Sequence, residues 1–172
     1  EKDYTVQLWN RAEAIHSVAL PYAYAVNREC AWAVSRLVKH GVQVKRLKSA
    51  AKLKTERYDV FSVKRQRSFQ AHAMVDVDAK MVPGEAALAK GTYIIETTQP
   101  LGLLAAHMLE PEADDSLTVW NFFDPDVVVG QPFPVQRVVQ EIAAETLELI
   151  ESIDALEPTE QITLEHLYAP GN

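Results

Sequence analysis

The chain has 172 residues, of which 48% are apolar and 24% charged, and its 17 Lys and Arg against 24 Asp and Glu give a net charge of −7. This composition matches an average soluble domain and excludes wholesale disorder, while a single cysteine excludes a disulfide scaffold and a cysteine-based zinc site. No run of about 18 apolar residues occurs, so no membrane span is expected. The first residues, Glu1 to Tyr4, lack the basic and apolar pattern of a secretory signal.

Charge is distributed unevenly along the chain. Residues 36–67 hold eleven basic side chains and two acidic ones, whereas residues 110–172 hold fourteen acidic side chains and one basic one, Arg137. A basic stretch can contact phosphates, but the net negative charge and the lack of a recognition-helix or base-stacking pattern argue against nucleic-acid binding. We expect the basic and acidic parts to complement each other, or the basic stretch to be an interaction face for an acidic neighbour.

The first predicted elements form a β-α-β unit. Leu20 to Val26 is aromatic and apolar, which predicts a strand. Cys30 to His40 has apolar residues at helical spacing and ends at Gly41, which predicts a helix, and Val42 to Leu47 predicts a second strand. Because the three elements follow one another so closely, we expect two parallel strands covered by the helix.

From Arg57 to Thr98 the apolar period changes to two, which is typical of antiparallel strands. The predicted strands are Tyr58–Val63, Phe69–Asp78 and Tyr93–Glu96. The pairs Pro83-Gly84 and Lys90-Gly91 predict turns. A β-rich antiparallel insertion is therefore expected after the β-α-β unit.

Three further elements are predicted in the C-terminal half. Leu101 to Leu109 is apolar nearly throughout and precedes Pro111, which predicts a short buried helix. Thr118 to Phe123 predicts a strand, and Val138 to Leu156 predicts a C-terminal amphipathic helix. The expected fold class is α/β, with residues 1–157 as a single domain and residues 158–172 as a linker or the start of a following module.

His107 and Glu110 have the one spacing that is typical of a metal site, because ligands three residues apart share a helical face. A third ligand would have to come from His166 or His72. In a chain with five histidines and 24 acidic residues such a pair arises often by chance. A helix-end histidine beside a solvated glutamate is therefore favoured, and no metal ligand is assigned.

Two other groups of residues suggest chemistry. Cys30 lies in a predicted first helical turn, where the dipole favours a thiolate, but no base accompanies it, so a small buried hydrophobe is favoured. Asp114, Asp115, Asp124 and Asp126 lack the spacing and glycine of a calcium loop, which favours solvated acidic turns. The sequence contains no nucleophile elbow, phosphate loop or dinucleotide fingerprint. No catalytic residue is assigned.

The segment from Leu109 to Asp124 mixes aromatic side chains, an asparagine and acidic residues at the junction of a predicted helix and strand. Such a mixture is typical of a packing junction or of a binding edge, and packing is favoured. If a peptide or glycan binds at this edge, the candidate binding residues are Gln99, Trp120 and Asn121.

Seven short motifs occur in a fixed order between residues 18 and 138. They are Pro21-Tyr22-Ala23-Tyr24, His40 to Leu47, Gly91 to Ile95, Gln99-Pro100-Leu101, Leu109-Glu110-Pro111, Trp120 to Asp124 and Phe133 to Arg137. In this order they resemble the region C-terminal to the catalytic domain in large bacterial zinc carboxypeptidases of the carboxypeptidase A type. Residues 160–168 are similar to the opening of prolyl-oligopeptidase-like or dipeptidyl-peptidase-like chains, which implies a second peptidase module after this segment.

The resemblance implies a parent metallocarboxypeptidase that removes C-terminal residues from peptides, using zinc-activated water and a glutamate as general base. In that family the zinc ligands belong to the preceding catalytic domain, so zinc is expected there and no cofactor is expected in this segment. His107 stands where the family commonly has a different residue, so no catalytic or metal residue is carried over. The implied partner is the catalytic domain of the same chain, and the implied location is extracytoplasmic.

Three functions follow from these observations. The first is a noncatalytic accessory domain of a zinc metallocarboxypeptidase-like protein. The second is a stand-alone module that binds a peptide or a glycan, and the third is a small zinc hydrolase that uses His107 and Glu110.

Overall fold

The computed structural model describes residues 2–8, 10–11, 13, 17–69, 72–124 and 126–151, and within them the chain is a mixed α and β fold dominated by antiparallel sheet. The strands are β1 Ala23–Val26, β2 Val44–Leu47, β3 Ala51–Phe69, β4 His72–Leu88, β5 Tyr93–Glu96, β6 Pro132–Val138 and β7 Leu147–Ile150. The helices are α1 Ala31–Lys39 and α2 Gly102–Leu109, and short 3₁₀ turns at Arg28–Cys30 and Ala144–Thr146 precede α1 and β7.

The seven strands form one sheet in the order β4-β3-β6-β1-β5-β2-β7, and every neighbouring pair is antiparallel. All four residues of the central strand β1 are buried because both faces of the sheet are covered. Tyr24 and Val26 pack into a core with residues of α1 and α2, whereas Ala23 and Ala25 pack into a second core that includes Ile142. The helices therefore lie on one face, and the segment between β6 and β7 closes the other.

The predicted order of strand, helix and strand over residues 20–47 is present, but the predicted pairing of the two strands is wrong. β5 lies between β1 and β2 and is antiparallel to both, so β1 and β2 run in the same direction without contacting each other as neighbours. Tyr93, Ile94 and Ile95 of β5 are each at most 2% exposed. A strand that is apolar on both faces gains most from an interior position, which explains why β5 separates the pair.

The predicted antiparallel insertion is confirmed as the β3-β4 hairpin, although its strands are longer than expected. The turn predicted at Pro83-Gly84 is wrong, because both residues lie within β4, an edge strand of the sheet. The outer side of β4 includes the amide of Ala79, which donates to the Glu112 carboxylate at 2.9 Å. Pro83 lies four residues after Ala79, so its backbone nitrogen points to the same outer side of β4. No neighbouring strand lies on that side, so the missing N–H of proline removes no hydrogen bond of the sheet. The turn at Lys90-Gly91 is confirmed, with a φ of 87° at Gly91.

Both short helices agree with the sequence. α1 is followed by Gly41, whose φ of 82° ends the helix, and α2 is followed by Glu110 in extended geometry before Pro111. The prediction of a buried helix is wrong for one side of α2, where Leu103 is 72% exposed. Neither helix of the described ranges is long and apolar enough to cross a membrane.

The strand predicted over Thr118 to Phe123 is wrong, because this segment forms successive turns. Asn121 has a φ of 69°, which interrupts extended backbone. Phe122 stacks on Trp32 with ring centroids 5.0 Å apart, and Phe123 packs edge-on against Phe133 at 5.3 Å. The aromatic side chains thus anchor a compact loop to α1 and β6.

The amphipathic helix predicted over Val138–Leu156 is wrong for residues 138–151. β6 ends at Val138, and β7 pairs with β2 from Leu147 to Ile150. Leu147 and Ile150 are buried in the cores on opposite faces of the sheet. A spacing of three residues satisfies a strand covered on both faces as well as it satisfies one side of a helix, so the pattern was ambiguous. Residues 152–156 and the predicted linker over residues 158–172 lie outside the described residues.

Candidate functional site

The strand register places four polar side chains on the face of the sheet that the helices cover. Arg137 of β6 lies directly opposite Tyr24 of β1 and, on its other side, opposite Glu56 of β3. Tyr58 is two residues beyond Glu56 and therefore points to the same face. Three adjacent strands thus bring two tyrosines, a glutamate and an arginine together without any loop.

Glu110 completes this arrangement from the end of α2. The Tyr24 hydroxyl donates to Glu110 Oε1 at 2.5 Å and the Tyr58 hydroxyl donates to Glu110 Oε2 at 2.5 Å. Arg137 Nε lies 3.5 Å from Glu110 Oε1 and 3.5 Å from Glu56 Oε2. We call Tyr24, Tyr58, Glu110 and Arg137 the Glu110 cluster; its arginine is 3% exposed and both tyrosines are buried.

The remaining donors of Arg137 hold neighbouring parts of the chain. Its Nη1 donates to the Tyr58 hydroxyl at 3.3 Å, and its Nη2 donates to the carbonyl oxygen of Ala19. This hydrogen bond holds Ala19 beside the cluster. The two carboxylates compensate the buried charge of the guanidinium, although its Nε makes no hydrogen bond.

The electrostatics of the cluster keep both tyrosines protonated. Burial, followed by the hydrogen bond to Glu110, raises the pKa of Tyr24 and of Tyr58 far above the ordinary 10.0. Each hydroxyl therefore remains a donor to the carboxylate at any physiological pH. The hydrogen bonds of the cluster therefore persist across the physiological pH range.

A cavity of about 470 Å³ opens above the Glu110 cluster. Tyr24, Tyr58 and Glu110 contribute polar atoms to its lining, and Val18, Leu20, Met81, Leu103 and Ala106 are among its apolar residues. Apolar walls with a few converging polar groups are typical of sites that bind small molecules or peptide side chains.

A second cavity of about 490 Å³ lies on the other side of α2. Leu104, His107, Met108 and Trp120 contribute to its lining, and His107 also borders the first cavity. The exposed residues Leu103, Leu104 and His107, which we call the α2 surface, therefore form a ridge between two depressions. α2 reads Gly-Leu-Leu-Ala-Ala-His-Met-Leu and contains no aspartate, glutamate, lysine or arginine.

The structure does not bring the three predicted binding residues together in one cavity. Gln99 braces the backbone, since its side chain accepts from the amide of Gln43 at 2.7 Å and donates to the carbonyls of Gln43 and Glu96 at 2.9 and 2.8 Å. Asn121 donates to the carbonyl of Ala73 at 2.8 Å and ties the turn to β4. Trp120 lines the second cavity.

The predicted pair of His107 and Glu110 is only partly as expected. His107 is exposed on α2, but the expected solvated glutamate is wrong, because Glu110 is 9% exposed and each carboxylate oxygen accepts a tyrosine hydrogen. Of the possible third ligands, His166 lies outside the described residues and His72 lies in β4. Within the described ranges no group of three histidine, cysteine, aspartate or glutamate side chains is arranged to hold a metal ion.

Cys30 and the aspartates take structural positions. Cys30 is 1% exposed and its thiol donates to Asp126 at 3.5 Å; burial and then Asp126 raise the pKa of the thiol. Asp124 accepts from Arg65 at 2.6 Å and from Asn121 at 3.2 Å. The raised thiol pKa opposes the thiolate that a nucleophile requires.

Sequence reasoning assigned no role to Tyr24, Tyr58 or Arg137. One signal was present, because Arg137 is the single basic residue among the last 63 and it lies within an apolar strand. A lone charge in such a strand has to meet a partner across the sheet.

Comparisons of this chain with protein-family models, with curated proteins and with solved structures found no match.

Proposed function

We propose that this chain is a noncatalytic accessory domain of a zinc metallocarboxypeptidase-like protein. The parent protein removes C-terminal residues from peptides, and its zinc belongs to a catalytic domain that precedes this segment. The accessory domain docks on that catalytic domain through the α2 surface. The proposal rests on the ordered motifs that resemble the accessory region of such enzymes and on the geometry of α2.

The observation that supports docking is the exposed apolar side of α2. Leu103 is 72% exposed and Leu104 is 36% exposed, although the helix has no polar face. Apart from His107 the side chains of this helix are apolar, and such a helix is ordinarily buried, so its exposed side is suited to a partner. The flanking cavities of about 470 and 490 Å³ can receive side chains of that partner.

The Glu110 cluster supports a role in which shape matters more than chemistry. Three of the motifs that carry the resemblance contribute to it, namely those that contain Tyr24, Glu110 and Arg137. These motifs lie up to 113 residues apart, from Tyr24 to Arg137, yet they meet at the base of α2. The hydrogen bonds of the cluster fix the end of the helix and thereby fix the orientation of the α2 surface.

The parentage is tested by the coding sequence upstream of Glu1. A His-x-x-Glu pair followed by a distant third histidine in that upstream sequence is the expected result. The purified 172-residue chain is expected to show no chelator-sensitive hydrolysis of peptides and to retain no stoichiometric zinc. Chelator-sensitive hydrolysis by the chain itself, or an upstream sequence without the zinc ligands, would contradict the proposal.

The docking surface is tested by expressing the catalytic domain and this chain separately and measuring their association by calorimetry. Leu103→Ser combined with Leu104→Ser is expected to weaken association at least about tenfold, because each removes a large apolar anchor. Leu149→Ser is the control, since Leu149 is 50% exposed on β7, an edge strand at the opposite end of the sheet from β4, and lines neither cavity beside α2. Equal weakening by the control would show that α2 is not the interface.

A second candidate function is a module that binds a peptide or glycan in one of the two cavities. The observation that favours it is the combination of apolar walls with the Tyr24 and Tyr58 hydroxyls in the first cavity. A panel of peptides and oligosaccharides is titrated into the chain while tryptophan fluorescence is recorded, with Trp120→Phe as the variant that identifies a signal from the second cavity. Saturable changes in fluorescence, together with no measurable association between this chain and a catalytic domain, would favour ligand binding over docking.

A further inference from the structure

Carboxylates on most of the sheet are paired with basic side chains. The ion pairs are Lys45–Glu96, Arg46–Glu148, Lys52–Glu85, Arg57–Asp59, Lys64–Asp78 and Arg65–Asp124, with nitrogen to oxygen distances of 2.6 to 3.1 Å. The expected complementarity of the basic and acidic parts is thus present for Arg46 and Arg65, whose partners lie beyond residue 110. The carboxylates beside the first cavity depart from this balance.

Negative charge exceeds positive charge at the first cavity. Arg137 Nε lies 3.5 Å from an oxygen of Glu110 and 3.5 Å from an oxygen of Glu56, so one guanidinium serves two carboxylates. Glu112 lines the cavity with Glu110, and no lysine or arginine of the described residues lies within ion-pair distance of Glu112. Three carboxylates thus stand against one guanidinium, and a protonated His107 in the lining would still leave a negative excess.

The polar atoms that the Glu110 cluster presents to the cavity are hydrogen-bond acceptors. The hydroxyls of Tyr24 and Tyr58 each donate their one hydrogen to Glu110, so neither has a hydrogen left for a ligand. A carboxylate has about four acceptor positions, and the two tyrosines occupy one position on each oxygen of Glu110. A ligand group that meets the cluster therefore has to donate hydrogens.

The rest of the described lining is mainly apolar. It contains no lysine or arginine, and its other polar donors, the Ser17 hydroxyl and the His107 imidazole, belong to exposed residues. Val18, Leu20 and Met81 are among the apolar residues that line the cavity of about 470 Å³. The cavity thus combines apolar walls with negatively charged acceptors, which suits a ligand with an apolar body and a positive end.

The arrangement of Glu110 favours an ammonium over the other common cations. A guanidinium binds best to a carboxylate that offers both oxygens to its planar fork, but here each oxygen already accepts a tyrosine hydrogen. An ammonium is a compact charge whose hydrogens point in several directions, so it can use the acceptor positions that remain. A quaternary ammonium has no hydrogen to donate.

We propose that the first cavity binds a primary ammonium group carried on an aliphatic body. The ammonium donates to Glu110 and to the Tyr24 oxygen, and the aliphatic body covers apolar walls such as Leu20 and Met81. Two sources share this chemistry, namely a free aliphatic amine and the lysine side chain of another protein. The assignment depends on the cavity alone and holds whether or not the chain docks through the α2 surface.

The test uses the purified 172-residue chain, labelled with ¹⁵N, and records its backbone amide signals at neutral pH and low ionic strength, because salt screens exposed charges. Hexylamine, hexanol and hexanoate are the probes, since they share one aliphatic body and differ in the charge of its end. Hexylamine is expected to shift the amides of Ala79, Ala106 and Ala113, which line the cavity, in a saturable manner. Hexanol is expected to bind about tenfold more weakly, and hexanoate is expected not to saturate.

Three variants separate the cavity from general electrostatics. Glu112→Gln is expected to weaken hexylamine binding about threefold and to leave hexanol binding unchanged, because it removes charge without changing the apolar walls. Glu141→Gln is the control, since it removes the same charge from an exposed residue that does not line the cavity, and it is expected to change binding less than about twofold. Glu110→Gln, where its amide spectrum shows that it folds, is expected to bind hexylamine no more tightly than hexanol.

A second pair of probes identifies the source of the ammonium. Saturable binding of Nα-acetyl-lysine amide, with no binding of Nα-acetyl-norleucine amide, would assign the site to a lysine side chain. Binding of hexylamine without binding of the lysine derivative would assign it to a free amine. The proposal is overturned if hexylamine does not saturate, if hexanol or hexanoate binds as tightly as hexylamine, or if Glu141→Gln weakens hexylamine binding as much as Glu112→Gln does.

Discussion

Replacement of Glu110 by glutamine is the sharpest test of the Glu110 cluster. The change keeps the size of the side chain but replaces one acceptor oxygen by an NH₂ group. The Tyr58 hydroxyl already accepts from Arg137 Nη1 at 3.3 Å, so its own hydrogen needs the oxygen of Glu110. In Glu110→Gln one of the two tyrosine hydrogens loses its acceptor, and Arg137 keeps only Glu56 as a carboxylate neighbour.

The magnitude follows from these two losses. A hydrogen bond to a charged group contributes about 1.5–3 kcal/mol, and removing one partner of a buried ion pair costs about 3–5 kcal/mol. Glu56 still compensates part of the arginine charge, so we expect Glu110→Gln to lower the free energy of unfolding by about 3 kcal/mol. For a chain of this size that corresponds to a decrease in Tm of roughly 6–12 °C.

The measurement is urea unfolding followed by circular dichroism, with the slope m compared between variants. Glu112→Gln is the control, because it makes the same change of charge two residues away on an exposed glutamate that accepts one backbone amide, that of Ala79. We expect Glu112→Gln to cost at most about 1 kcal/mol. If Glu110→Gln destabilises no more than Glu112→Gln, the cluster does not hold the fold together as argued.

Three further predictions test other parts of the structure. Above pH 10 the unfolded chain loses the protons of Tyr24 and Tyr58 while the folded chain keeps them, so the free energy of unfolding is expected to fall as the pH rises. In urea titrations at several pH values, Tyr58→Phe should reduce the slope of that fall by about 1.4 kcal/mol per pH unit. Gly102→Ala should lower the free energy of unfolding by about 3 kcal/mol, because the added Cβ would lie 1.9 Å from the carbonyl oxygen of Thr97. Gly84→Ala, whose Cβ would have no neighbour within 4 Å, should be close to neutral when the two variants are compared by thermal melting. The Cys30 thiol should react with a thiol reagent at pH 8 only after unfolding, and rapid labelling of the native chain would refute its burial beside an acidic group.

Local sequence signals predicted the positions of helices and strands better than they predicted which strands pair in the sheet. α1, α2 and β5 were recognisable from spacing and from the residues that end them. The interior position of β5 could not be predicted, because it depends on the burial of both faces of a strand that begins 46 residues after β2 ends. Which strands pair is a tertiary property that the local sequence of each strand does not encode.

The Glu110 cluster shows why the site was harder to predict than the elements. Tyr24 and Tyr58 look like ordinary strand aromatics, and Glu110 looks like a solvated residue at the end of a helix. Their roles follow from the register that sets Arg137 between β1 and β3, which no local pattern encodes. The binding residues proposed from the sequence were chosen by type, and in the structure the side chains of Gln99 and Asn121 hydrogen-bond to backbone carbonyls.

The position of β1 has a consequence for how the chain folds during synthesis. Ala23 pairs with Glu96 on one side and with Val138 on the other, 73 and 115 residues later in the chain. At a synthesis rate of about 5–20 residues per second, β1 waits roughly 6–23 s before its second neighbour leaves the ribosome. During that interval a wholly apolar segment is exposed to other nascent chains, so production of soluble protein should depend on chaperones and should fail for fragments that stop before Pro132.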